Sequence, residues 1–252
     1  MKVLLVTGSS RGIGAEICRQ AAADGWKVCI NYAQSEDEAD RVVADIREQG
    51  GIAIAVQADV ADEEQVIKLY ERIDLELGPV TGLVNNAGAN GCGSRVDEMD
   101  VALTRRMLDV NITGSLICAK HAIKRMAKRN GGNGGVIVNV SSAASKHGGP
   151  FTYVDYAASK AAIDTFTIGL ARETADQGIR VNCLRPGITM TEISVDYAKE
   201  HPEWLDWVMQ QVPLGRAAEV SEIANGAMYL LSEKSSYSTG AVLDVCGGWV
   251  SP

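Results

Sequence analysis

The 252-residue sequence contains no C-x-x-C pair. Its six cysteines, Cys18, Cys29, Cys92, Cys118, Cys183 and Cys246, are scattered, which leaves metal and disulfide chemistry without support. Several lie in apolar runs and read as small buried thiols. Runs of lysine and arginine are also missing, and the formal charge is −8. That balance argues against a nucleic-acid partner and serves solubility instead. No apolar run approaches the ~20 residues needed to span a membrane, and the one in "MKVLLVTGSS" is too short for a signal-peptide core. Neither an internal repeat nor a break in composition marks a second domain. The absences together predict a single cytoplasmic domain over residues 1–252, with no metal site and no membrane contact.

What is present is an alternation. Short β-branched or apolar runs predict strands at Val3–Val6, Val28–Tyr32, Ile52–Gln57, Gly82–Asn85, Val136–Val140, Arg180–Leu184 and Ala241–Val245. Helical stretches lie between them, and continuous apolar strands separated by helices imply a parallel sheet covered on both faces. Ser35 before Glu38 and Asp62 before Gln65 have capping-box spacing. "NGGNGG", residues 130–135, reads as a turn. Residues 190–218 break the rhythm and carry Tyr197, Trp204 and Trp207. This insertion is either a substrate lid or a surface helical pair with tryptophans as its core. Met190 and Met209 flank it as gap-fillers.

The first strand runs into "TGSSRGIG", Thr7–Gly14, at the start of the first helix. In that setting glycines let the backbone approach a pyrophosphate, which meets free N–H groups and the positive end of the helix dipole. Gly8, Ser10, Arg11, Gly12, Ile13 and Gly14 are the candidate contacts there, with Asn31 and Ser35 at the tip of the second strand. No residue from Asn31 to Ser35 is acidic, so nothing at that tip reproduces the carboxylate that binds an NAD ribose. Arg11, without a competing carboxylate, suits a 2′-phosphate. NADP(H) is therefore expected in preference to NAD(H).

In "VDYAASKAAIDTF", residues 154–166, Tyr156 and Lys160 share one helix face. Roughly 0.3 such pairs are expected by chance in this composition, so the spacing needs support from the rest of the chain. That support comes from Thr7-Gly8-x-x-x-Gly12-x-Gly14, Asp59-Val60, Asn85-Asn86-Ala87-Gly88, Asn111, Ser142, Tyr156-x-x-x-Lys160 and Pro186-Gly187. In this order and spacing the sequence resembles the short-chain dehydrogenase/reductase family over almost its full length, in particular 3-oxoacyl-carrier-protein reductases and glucose dehydrogenases.

The resemblance implies a doubly wound, Rossmann-type α/β domain with a seven-stranded parallel sheet, assembled as a homotetramer. It also implies roles. Asp59 and Val60 would contact adenine, and Asn86, Ala87 and Gly88 would line the cofactor. Ser142 would bind the substrate oxygen, Tyr156 would exchange its proton, and Lys160 would hold the nicotinamide ribose. Asn111 would hold a water leading from Lys160 to solvent. Pro186, Gly187, Thr189 and Thr191 would lie along the nicotinamide. Ser142 stands fourteen residues before Tyr156, one more than in many relatives, so the intervening loop must bulge.

The chemistry asks for the same residue types. A phenol titrates near ~10 in water, and a cation within ~4–6 Å stabilises its ionised form, which suits a general acid–base. His147, a loop histidine, is made redundant by such a tyrosine. The expected activity is interconversion of a ketone or aldehyde with an alcohol. A catalytically silent dinucleotide-binding regulator is the alternative, and it leaves Ser142, Tyr156 and Lys160 without a purpose. The small-molecule substrate stays open, because loops 91–96, 143–153 and 190–212 form the pocket walls. A carrier-protein partner would want a basic patch, for which Arg95, Arg105 and Arg106 are the nearest cluster.

Overall fold

A computed structural model describes residues 2–200 and 203–250. Tyr197 and Met209, singled out above, have side chains outside the described ones. Seven strands form the main sheet: β1 (Val3–Val6), β2 (Lys27–Tyr32), β3 (Ile52–Gln57), β4 (Gly82–Asn85), β5 (Gly135–Val140), β6 (Ile179–Pro186) and β9 (Val242–Val245). They lie in the order β3-β2-β1-β4-β5-β6-β9, every pair parallel. Each expected strand is present, with ends that differ by at most two residues.

Period-two alternation decides where each side chain goes. From β1, Leu4 and Val6 pack with helices α1 (Gly12–Ala23), α2 (Glu36–Glu48) and α10 (Val220–Leu231). Val3 and Leu5 pack on the other face, with α3 (Glu63–Glu76), α5 (Ser115–Met126) and α7 (Val154–Thr174). The strands read as unbroken apolar runs because both faces are covered. The strand order reverses between β1 and β4, which opens a crevice at their carboxyl ends.

The capping expectations divide. Asp62 caps α3 by accepting the Glu64 and Gln65 N–H groups. Gln65 does not return to the Asp62 amide; it donates to Asp62 Oδ2 at 2.8 Å and accepts the Asp59 N–H at 3.0 Å. Ser35 holds the N-cap position of α2 but makes no side-chain cap bond. Its expected partner, Glu38, faces Arg11 instead, at 3.8 Å. Glu36, Asp37 and Glu38 place negative charge in the first turn, where the helix dipole favours it.

The 190–218 segment is clipped at its base by β7 (Thr189–Met190) and β8 (Ala218–Glu219), a short parallel pair. Between them run α8 (Glu192–Glu200) and α9 (Glu203–Gln211). Val208, Val212 and Ala217 bury themselves against Ile188, Met190, Trp204 and Trp249. Trp204 and Met190 thus act as packing, while Trp207 stays half-exposed, edge-on to Trp249 with ring centroids 6.2 Å apart.

Candidate functional site

The glycine loop is built by close approach. A Cβ on Gly8, whose φ is +60°, would lie 2.8 Å from the Ala87 Cα. One on Gly14 would lie 2.5 Å from Asn86 Nδ2. These contacts seat the loop directly on the tip of β4. Asn86 Nδ2 donates to the Thr7 and Gly8 carbonyls at 3.0 and 2.9 Å. Thr7 Oγ1 accepts the Asn86 and Ala87 N–H groups, each at 3.0 Å. On the other side Asn31 Oδ1 accepts the Gly8 N–H, and Asn31 Nδ2 reaches the Ala58 carbonyl at 3.0 Å. Asn31 is buried and its amide is spent on the protein, so its side chain braces the loop from beneath.

A groove of about 640 Å³ runs from this loop across the crevice. Every cofactor candidate from the sequence lines it, from Gly8 through Asp59, Val60, Asn86, Ala87 and Gly88 to Pro186, Gly187, Thr189 and Thr191. Ser142, Tyr156 and Lys160 line its far end. Asn111 does not. It is buried in a π-helical segment, Asp109–Gly114, between α4 (Val101–Leu108) and α5. Its side chain accepts the Ala89 N–H at 2.8 Å and donates to the Ala89 carbonyl and to Ser159 Oγ, both at 3.0 Å. Asn111 Oδ1 and Lys160 Nζ nevertheless flank the same spot, each 3.5 Å from where a Gly88 Cβ would stand.

The far end is set by β5 and α7. Lys160 is buried, donates to the Val140 carbonyl at 2.9 Å, and keeps its Nζ 5.7 Å from the Tyr156 ring centroid. Ser141 turns inward, its hydroxyl donating to the Lys160 carbonyl at 3.0 Å. Ser142 is half-buried at the groove, and its Oγ accepts the Ala144 N–H at 3.1 Å. The bulge expected between Ser142 and Tyr156 takes the form of three left-handed residues: Gly148, Gly149 and Phe151, with φ of +78°, +54° and +69°. Phe151 is the only non-glycine residue with positive φ among those described, a costly conformation for a bulky side chain. His147 Nδ1 accepts the Gly149 N–H at 3.1 Å, and its ring lies 4.6 Å from Trp249. Burial pushes His147 below the usual histidine range, so at neutral pH it serves as an uncharged brace of this loop.

One expectation needs correction. Arg11 does have a competing carboxylate: Glu38 Oε2 stands 3.8 Å from its guanidinium and has no hydrogen-bond partner of its own. Sequence reading missed it because Glu38 lies on the next helix and was assigned to a cap. Two of the three arginines in the cluster form ion pairs while staying half-exposed. Arg106 pairs with Asp59 at 2.7 Å, and Arg95 pairs with Asp97 at 3.4 Å while its guanidinium lies 5.7 Å from the Phe151 ring centroid. Also unforeseen are Arg106, Glu192 and Ser194 in the groove wall. Thr191, just ahead of α8, brings its methyl group over Gly12. Five of the six cysteines are buried as expected, and desolvation pushes Cys18, Cys118 and Cys183 up to about 12. Among the described residues no cluster of metal-ligating side chains occurs, and no helix is long and apolar enough to cross a membrane.

A glycine loop at a topological switch point is thus joined by one groove to a serine, a tyrosine and a lysine. Residues 8–250 match the family model described as enoyl-(acyl carrier protein) reductase. The chain is 45% identical over 98% of its length to the whole of the uncharacterized oxidoreductase YgfF of Escherichia coli K12. It is 37% identical to glucose 1-dehydrogenase 2 of Bacillus subtilis, covering 98% of this chain and 94% of that protein. A short-chain dehydrogenase/reductase of Serratia marcescens superposes with a TM-score of 0.91 at 32% identity, over 99% of this chain and 98% of that one. The chain belongs to the short-chain dehydrogenase/reductase family and is an oxidoreductase acting on a CH–OH or C=O group.

Proposed function

We propose that the protein interconverts a ketone or aldehyde with an alcohol using NADP(H), with Tyr156 as the general acid–base. The observation that carries this reading is the single groove that joins the Gly8–Gly14 loop to Ser142, Tyr156 and Lys160. The residues present fit a dinucleotide. Gly8 and Gly14 leave no room for a Cβ beneath the loop, and the first turn of α1 carries no acidic residue to repel a pyrophosphate. When bound, the cofactor supplies or accepts the hydride.

The protein's own share is orientation and proton transfer. Ser142 Oγ donates to the substrate oxygen, and the Tyr156 phenol gives that oxygen its proton during reduction. Lys160, fixed by the Val140 carbonyl, places a positive charge near the Tyr156 ring, 5.7 Å from its centroid. Asn111, by clamping Ala89 at both N–H and C=O, holds that part of the groove wall. Asp59, Val60 and the Asn86–Gly88 tip hold the adenine and central parts of the dinucleotide. Pro186, Gly187, Thr189 and Thr191 hold its nicotinamide end.

Preference for NADP(H) rests on Arg11, half-exposed at the start of α1, and on the lack of an acidic residue among Tyr32, Ala33, Gln34 and Ser35, which also line the groove. A homotetramer completes the reading. The test is an NADPH-oxidation screen across sugars, simple ketones, quinones and acyl thioesters. Tyr156→Phe is expected to keep its affinity for NADPH and to lose turnover by roughly 10²–10⁴-fold, the usual worth of a general acid–base. Full turnover by that variant rejects the role of Tyr156.

A further inference from the structure

The residue before Tyr156 makes contacts that the proposed chemistry does not use. Asp155, second in α7, is half-buried and spends both carboxylate oxygens. Oδ1 accepts the Tyr156 N–H at 2.8 Å. Oδ2 accepts the Cys92 N–H at 3.2 Å and the Thr104 hydroxyl at 3.3 Å. Cys92 Sγ in turn lies 3.1 Å from Thr104 Oγ1 and donates to the Asp100 carbonyl, also at 3.1 Å. The carboxylate sits so close under Gly91 that a Cβ there would lie 2.2 Å from Oδ1. Any side chain at position 91 would press on that carboxylate.

Gly91 and Cys92 continue directly from Ala89 and Asn90, which line the same groove as Tyr156. That wall is tied at two points, and both ties lead to one turn of α7. Asn111 clamps Ala89 and donates to Ser159, whose hydroxyl donates to the Tyr156 carbonyl at 2.7 Å. Asp155 clamps Cys92 and receives the Tyr156 N–H. We propose that Asp155 is a positioning residue that sets the gap between the Ala89–Cys92 wall and the Tyr156 phenol, and so the place where the substrate carbonyl comes to rest. This inference rests on the assignment of Tyr156 as the acid–base. A misplacement of about 1 Å at such a gap can cost on the order of 10²-fold in rate.

Two variants attack the clamp from opposite sides. Asp155→Ala removes the carboxylate, and Gly91→Ala pushes against it. Each is expected to lower kcat by roughly 10- to 100-fold and to raise KM for the carbonyl substrate. The dissociation constant for NADPH, read by fluorescence titration, should stay within about twofold, because neither residue lines the glycine-loop end. A merely structural role would instead lower melting temperature and leave the kinetics of the folded fraction unchanged. The double variant supplies the sharpest outcome. With the carboxylate gone, the three atoms nearest the added methyl of Gly91→Ala are removed, so the double variant should be no worse than Asp155→Ala alone. Additive losses, or wild-type kcat and KM in Asp155→Ala, overturn the proposal. If Asp155→Ala fails to fold, Gly91→Ala with wild-type kinetics overturns it equally. Tyr156→Phe run in parallel keeps the two assignments apart. An active Tyr156→Phe rejects the tyrosine's role, whereas an inactive one beside an unimpaired Asp155→Ala rejects only the clamp.

Discussion

Arg11 and Glu38 form a pair 3.8 Å apart at the edge of the groove. Bound NADPH would bring a phosphate into competition with that carboxylate for one guanidinium. Hydrogen bonds to charged groups are worth about 1.5–3 kcal/mol, so Arg11→Ala should weaken NADPH binding by roughly 10- to 100-fold and leave NADH binding nearly unchanged. Glu38→Gln should act in the opposite direction and tighten NADPH binding, since it frees Arg11 and removes a like charge near the phosphate. Isothermal titration with both cofactors checks the two together; equal effects on NADH and NADPH would remove Arg11 from the specificity determinants. Arg11 was legible in the sequence because its loop has a recognisable spacing. Glu38 was not, because its direction depends on how α2 docks beside α1, which no local pattern encodes. Asn31 shows the same gap, since its type gave no hint that its amide would be consumed as a brace.

Helix ends show where local chemistry suffices and where it fails. Asp62 caps α3 as its spacing predicts, whereas Ser35, in the N-cap position of α2 with ψ of 73°, makes no side-chain cap bond. The start of α10 went unnoticed in the sequence and is also tied by side chains. Arg216 donates to both carboxylate oxygens of Glu222 at 2.6 and 2.7 Å, and Glu222 accepts the Glu219 N–H at 2.9 Å. Those bonds, Arg216 first, hold the Glu222 carboxyl at about 2, below its ordinary 4.5. A depressed carboxylate contributes stability above its unfolded pKa and loses it as pH falls through the folded one. Glu222→Gln should therefore melt at a lower temperature than wild type at pH 7. The difference should close as pH drops from about 4.5 to about 2, as followed by circular dichroism. A gap that is independent of pH would mean that the glutamate acts by packing alone. The consequence extends beyond α10, which packs Ile223, Ala224 and Ala227 in the same core as Ala15, Cys18 and Ala21 of α1, the helix that opens at the glycine loop.

At the level of the whole molecule, a parallel sheet covered on both faces followed from the alternation of apolar strands and helices. The 190–218 segment did not, because its small core is assembled from residues distant in sequence, Ile188, Val208 and Trp249 among them. Apolar side chains left on α4, α5 and α7 belong to the same scale. Leu103, Leu116 and Ile168 are 59%, 43% and 41% exposed, a pattern suited to burial between subunits. Light scattering should find about four times the 26.8 kDa chain mass, and Leu116→Glu should shift the mass downward; a wild-type monomer would reject the assembly. One further consequence follows from the seat of the glycine loop. Its hydrogen bonds to Thr7 and Gly8 come from Asn86, almost eighty positions later in the chain. During synthesis the glycine loop therefore emerges long before the surface that shapes it, and no nascent fragment ending ahead of β4 has a complete cradle.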